Sequence, residues 1–230
     1  MFLINRLCSL LILQGTLIAC GNDDHQSNKD SISQKNKQAP VLKLTEKQER
    51  IINGAKQCLE KRFSYDSEMA YHVLEYHSGE HKGRKIYPEG DLDPKLGVCT
   101  DVTIRALRYA GIVDLQEAVH EDIMASWRDY PMKRWDSKKP DTNIDHRRVP
   151  NQFVWFRKHW DEVLDGIYMP GDVVVWDMDS DSWADHLGII SDKSPGGHFW
   201  VIHNFPDPGY VAEEDIIGRW KISGVFRVKE

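Results

Sequence analysis

From Pro170-Gly171 onward, apolar residues no longer recur at helical spacing but come in short runs separated by turn residues. Asp172-Val-Val-Val-Trp176, His186-Leu-Gly-Ile-Ile190, Phe199-Trp-Val-Ile-His203 and Gly224 to Val228 each read as a strand. Upstream the period is helical. Ile51, Ala55, Cys58, Leu59 and Arg62 follow Thr45 and Gln48, which are spaced as a capping box. A helix is expected from about Cys99 to Ala110, with Val102, Ala106 and Ala110 on one face and Gly111 as its stop. An aromatic-rich helix is expected from Asn151 to Leu164. Gly79, Gly83, Pro88, Gly90 and Pro94 make Tyr76 to Leu96 read as a long loop, and 129–151 reads as another. Helices first and short strands second imply an α+β fold, with N-terminal helices packed on an antiparallel sheet.

At 230 residues, with 40% hydrophobic residues and 8 Trp, the chain has material for one domain and an extension. The net charge of −6 comes from mixed acids and bases without a basic stripe, which argues against a nucleic-acid partner. The extension is N-terminal. One Arg precedes an apolar stretch from Leu7 to Ile18, and Leu17-Ile-Ala-Cys20-Gly21 closes it. That stretch is too short to span a bilayer, which takes about 20 residues. It resembles a bacterial lipoprotein signal over residues 1–20, which implies cleavage before Cys20 and lipidation there. Gly21 then favours the outer membrane by the same resemblance. Residues 21–43 are mostly polar and read as a flexible tether, leaving 44–230 as the domain.

The chain has four cysteines. Cys8 leaves with the signal and Cys20 takes the lipid. Cys58 falls on the apolar face of its helix and reads as core. Cys99 opens the next helix. Backbone N–H groups and the dipole at a helix start favour a thiolate there and offer donors for an oxyanion. In an oxidising compartment a Cys58–Cys99 disulfide is the competing reading.

His186 opens one expected strand and His203 ends another. Strand alternation places His186, Gly188 and Ile190 on one face, and Val201 with His203 on one face. Antiparallel pairing through the Gly196-Gly197 turn brings the two imidazoles to one end of the sheet. One then takes the thiol proton and the other orients it. Zinc is a weaker reading of Cys99, His186, His203, His120 and His146, because metal-type local spacings are absent; no metal or cofactor is expected. Asn143-Ile-Asp-His-Arg-Arg148 reads equally as a carboxylate-binding loop or as a self-paired brace. Asp101, Asp145, His146 and Arg147 are the candidate substrate contacts. Asp114 to Asp122 reads as a solvated helix face whose His120 makes a structural hydrogen bond.

Gly97-Val-Cys-Thr-Asp101, Asp114-Leu-Gln116, His120-Glu-Asp122, Asn143-Ile-Asp-His-Arg147, Pro170-Gly-Asp172, His186-Leu-Gly-Ile189 and Ile202-His-Asn204 together resemble the YijF-like family. That is a group of exported bacterial proteins catalogued as a domain of unknown function. The resemblance runs from about Leu44 to Glu230. The family in turn resembles the NlpC-type branch of papain-like enzymes, which cut peptide bonds in peptidoglycan stems. The resemblance implies a papain-like fold, Cys99 as nucleophile, His186 as base and His203 as the orienting third member. It implies a hydrolase acting on peptidoglycan or another peptide; the lipoprotein signal and tether lead to a periplasmic expectation, and a monomer is expected. Acyl transfer or ester hydrolysis by the same residues, and a non-catalytic wall-binding role, are the rival readings. The Asn143 to Arg147 loop has no counterpart in the general NlpC pattern.

Overall fold

The computed structural model describes residues 43–230. The signal segment, Cys20 and the tether up to residue 42 lie outside them. Helix α1 (Glu46–Lys61) starts as expected: Thr45 caps the Gln48 N–H, and the Gln48 side chain returns a bond to the Thr45 N–H. Its Ile51, Ala55 and Cys58 are buried against α3 (Cys99–Tyr109). Helices α4 (Leu115–Ala125) and α5 (Val149–His159) complete this layer.

Six strands form one antiparallel sheet: β3 (Asp161–Glu162), β4 (Val173–Asp177), β5 (His186–Ile190), β6 (Val201–Asn204), β7 (Val211–Glu214) and β8 (Lys221–Arg227). Their spatial order is β3-β8-β4-β5-β6-β7. Val173, Val175, Leu187, Ile189 and Ile202 pack with the helices in the main core. The alternate residues Val174, Trp176, Ile190 and Val201 form a second apolar layer with Ile216 and Val225 on the other face. Both faces are therefore covered, which is why β4, β5 and β6 are buried at every position. The α+β order expected from the sequence is the observed one.

Several boundaries differ from expectation. Helix α5 begins at Val149, because Pro150 is tolerated in a first helical turn, where its missing N–H has no partner to lose. It ends at His159, and the chain turns into the short edge strand β3. The third long strand runs over Val201–Asn204 and the last over Lys221–Arg227. Strand β7 was not expected, since Val211-Ala-Glu-Glu214 carries too few apolar residues to announce itself. The expected loop after Tyr76 begins inside helix α2 (Met69–Ser78), which follows strand β1 (Ser64–Tyr65). Strand β1 pairs in parallel with β2 (Leu96–Gly97), which leads directly into α3. Cys58 and Cys99 are both free thiols.

Candidate active site

Cys99 is the first residue of α3 and is almost fully buried. The preceding loop is held from two sides. The Val98 N–H donates to Asp101 Oδ2 at 2.8 Å, and Asn204 Nδ2 on β6 donates to the Gly97 carbonyl at 2.9 Å. Gly97 cannot be larger, because a Cβ there would lie 2.8 Å from both Asp101 and Phe63.

The environment of the thiol departs from the expectation of an easily formed thiolate. Burial pushes the Cys99 pKa up to about 12, although the N–H groups of Leu187, Thr100 and Cys99 itself pull it down. The helix start supplies the donors that the sequence reading called for, but desolvation outweighs them. Tyr65 is close enough for a charge on Cys99 to raise the pKa of its phenol, after the larger effect of burial.

Leu187 directly follows His186. Ile190 donates to the Asp172 carbonyl across β4, so by alternation the Leu187 N–H points towards β6. The β5–β6 pairing runs through Ile189↔Ile202 and Ile190↔Val201 and stops short of His186. The Leu187 N–H is thus available to the sulfur. The structure thus brings Cys99 to the backbone beside His186, but Cys99 and Leu187 lie in the main core while the His186 ring lies on the other face with Trp176, and among the described residues no hydrogen bond joins the thiol to the imidazole.

His186 pairs with Trp176 across β4 and β5, which puts its ring on the second apolar layer. It stacks on Trp176 at 5.5 Å and meets the rings of Phe205, Trp220 and His203 edge-on. Burial in this aromatic box, followed by repulsion from His203 and Arg219, lowers its pKa to about 3. Its Nε2 lies 2.9 Å from His203 Nδ1. His203 Nε2 in turn lies 2.9 Å from Glu214 Oε2. Burial also lowers the pKa of His203, against the pull of Glu214.

With both rings neutral, this chain assigns the tautomers. A carboxylate only accepts, so His203 carries its proton on Nε2 and accepts on Nδ1. His186 must then donate from Nε2, which leaves its Nδ1 as the basic nitrogen. Gly188 makes the approach possible: a Cβ there would lie 2.6 Å from Val201 Cγ1 and 3.1 Å from His203 Cβ. Glu214 was missed in the sequence because it belongs to the unexpected strand β7. An acid two positions beyond the residue facing His203 is the signal that would have found it.

The four expected substrate contacts behave differently from one another. Asp101 is fully buried and pairs with Arg147 Nη2 at 3.0 Å as well as capping Val98. Asp145 is also fully buried; it accepts from the Asp141 N–H at 2.6 Å and faces His120 Nδ1 at 3.0 Å. Each carboxylate is engaged inside the chain through Oδ2, while the buried Oδ1 of each has no hydrogen-bond partner. His120 makes the structural hydrogen bond expected of it. His146 is buried with its Nδ1 unpartnered, and burial holds its pKa well below 6.5. Arg147 lines the wall of a cavity. Among the described residues, Cys99, His120, His146, His186 and His203 are not gathered into one ligand group.

The family model described as "Domain of unknown function (DUF1287)" matches residues 52–228 of this chain. "Uncharacterized protein YijF" of Escherichia coli (strain K12) is 39% identical over 183 residues, covering 77% of this chain and 80% of that protein. Among solved structures, NlpC2 from Trichomonas vaginalis matches at a TM-score of 0.45 and 15% identity, over 81% of this chain and 48% of that one. NlpC1 from the same organism matches at 0.44 and 13%, over 81% and 45%. This chain spans about half the length of those two structures.

Proposed function

The chain belongs to the DUF1287 family, and from that premise we propose that it is a cysteine hydrolase of amide bonds, acting on peptidoglycan stem peptides. The observation that carries this reading is the buried chain His186–His203–Glu214 at the strand end whose Leu187 N–H meets the Cys99 thiol.

In the resting site thiol and imidazole are both neutral. The proton leaves Cys99 for His186 only as the sulfur attacks the amide carbon. The N–H groups around the sulfur favour the thiolate as it forms. The new C–S bond gives a tetrahedral adduct. Its collapse breaks the C–N bond, and the amine leaves with the proton held by His186. Water then attacks the thioester, giving up a proton to His186, and the departing thiolate recovers it. Each step needs His186 in one tautomer, which the His203–Glu214 pair imposes. The chemistry uses no metal or organic cofactor, and the unit is a monomer.

Lipidation at Cys20 and a polar tether would hold the domain in the periplasm at the outer membrane, within reach of the wall. Palmitate incorporation lost in Cys20→Ala is the corresponding test.

The function is tested by incubating the purified chain with isolated peptidoglycan and separating the soluble fragments by mass spectrometry. New peptide termini are expected with the wild type and none with Cys99→Ala or His186→Ala. Turnover that survives Cys99→Ala, or no turnover from a folded wild type, would overturn it. Product analysis with added amines separates hydrolysis from acyl transfer.

A further inference from the structure

A cavity of about 520 Å³ opens beside the β1–β2 pair that leads into Cys99, with Asp66 and Leu96 in its wall. One side is apolar, made by Tyr76 and Leu92 of the small cluster that also holds Val73 and Ile86. Tyr76 is locked there by a 2.5 Å bond from its hydroxyl to the Leu92 carbonyl.

Three acids (Asp66, Glu75, Asp93) and three cations (Arg84, Lys95, Arg147) line it, so their formal charges balance, but they are engaged differently. Each acid in the wall already has a partner. Asp66 accepts from His72 Nδ1 at 3.0 Å and from the Glu68 N–H at 3.1 Å. Glu75 is hydrogen-bonded by the Tyr71 phenol and lies 4.0 Å from His81. Asp93 accepts the Lys95 N–H at 2.8 Å. The cations are less occupied. Arg84 and Lys95 are exposed and make no ion pair among the described residues. Arg147 commits Nη2 to Asp101, while its buried Nε has no partner. A guanidinium held on one edge by a buried carboxylate presents its remaining donors in a fixed plane, which suits a second carboxylate. Asp101 lies in the same helical turn as Cys99, so an anion held at Arg147 is registered to the nucleophile.

We infer that this cavity is a subsite for a free carboxylate of the peptide, anchored on Arg147 and drawn in by Arg84 and Lys95, with the apolar wall taking the adjoining aliphatic chain. The inference rests on the peptide-hydrolase reading for the identity of the ligand, and selects within it substrates that are acids near the cut bond.

The test measures binding apart from turnover. The full chain carrying Cys99→Ala is titrated calorimetrically with synthetic Ala-γ-Glu-Lys-Ala bearing free carboxyls, with the same peptide amidated at its C-terminus, and with the peptide amidated throughout. The free acid is expected to bind about tenfold tighter than the fully amidated form. The C-terminal amide tells which carboxyl is read: it weakens binding if the terminus is bound and leaves it unchanged if the internal acid is. Arg84→Gln with Lys95→Gln, both at exposed positions, is expected to reduce that preference measurably while the Arg147 anchor remains. No measurable binding, equal binding of acid and full amide, or a preference unchanged in the double variant would overturn the subsite. A wild type that binds the acid with this preference but never cleaves it overturns the hydrolase reading and leaves the subsite standing.

Discussion

Glu214 Oε2 lies 2.9 Å from His203 Nε2, and through His203 it decides which nitrogen of His186 is free. Glu214→Gln keeps the shape but offers an amide that can also donate, so the tautomers are no longer forced. Turnover is expected to fall by about 10- to 100-fold, through kcat and not KM, with Glu214→Asp recovering part of it. Equal kcat in Glu214→Gln and wild type would remove Glu214 from the site.

The thiols are expected to be slow towards iodoacetamide. Burial raises both Cys58 and Cys99 to about 12, and both are buried in the main core. At pH 7.5 the native chain should label at neither position over a time in which the urea-unfolded chain labels at both. Rapid native labelling of Cys99 would show a thiolate already formed and an ion-pair resting state.

Stability should fall in acid. His186 has a folded pKa of about 3 against an ordinary 6.5, and His146 is also held well below 6.5. Below 6.5 the unfolded chain takes up protons that the folded chain refuses, so the stabilisation present above that pH is lost as pH falls towards 3. Each such imidazole contributes a slope of up to about 1.4 kcal/mol per pH unit. Urea unfolding between pH 7 and pH 4.5 reads this, and His146→Gln should flatten the slope by about one proton's worth. A pH-independent midpoint would contradict the burial of both rings.

Gly188→Ala tests the close approach of β5 and β6. Its Cβ would meet the Ile202 carbonyl at 2.9 Å as well as Val201 and His203, so the strands must part. The cost is expected to be about 1–3 kcal/mol, together with loss of activity, because His203 is among the displaced groups. Wild-type stability and turnover would show that the sheet yields freely there.

The Asp101–Arg147 pair is buried on both sides. Asp101→Asn strands a guanidinium without its counter-charge and should cost about 3–5 kcal/mol. Adding Arg147→Met should recover much of this. Additive losses in the double variant would mean that the two residues act separately.

The helix starts and the main strands were legible because their signals are local. Thr45 and Gln48 cap α1, Gly111 stands just past α3 with a φ of +61°, and alternation grouped His186 with Ile190 and His203 with Val201, which antiparallel pairing then brought together. Strand β7 was not legible, because its place in the sheet comes from pairing with β6 and not from its own composition. The loop acids of Asn143–Arg148 carry the same residue types whether they bind a ligand or each other. Only the tertiary structure shows that Asp145 is enclosed with His120 while Arg147 lines a cavity.

The sequence by itself determined the order of elements, the helix start that carries Cys99 and the pairing of the two histidines. The tertiary structure alone decided the charge states. A helix N-terminus favours a thiolate and an imidazole is ordinarily half-charged near neutrality, but enclosure by the core and by Trp176, Phe205 and Trp220 removes the water that would support either charge. Desolvation is a property of what surrounds a group in space, and those surroundings come from residues far apart in the chain.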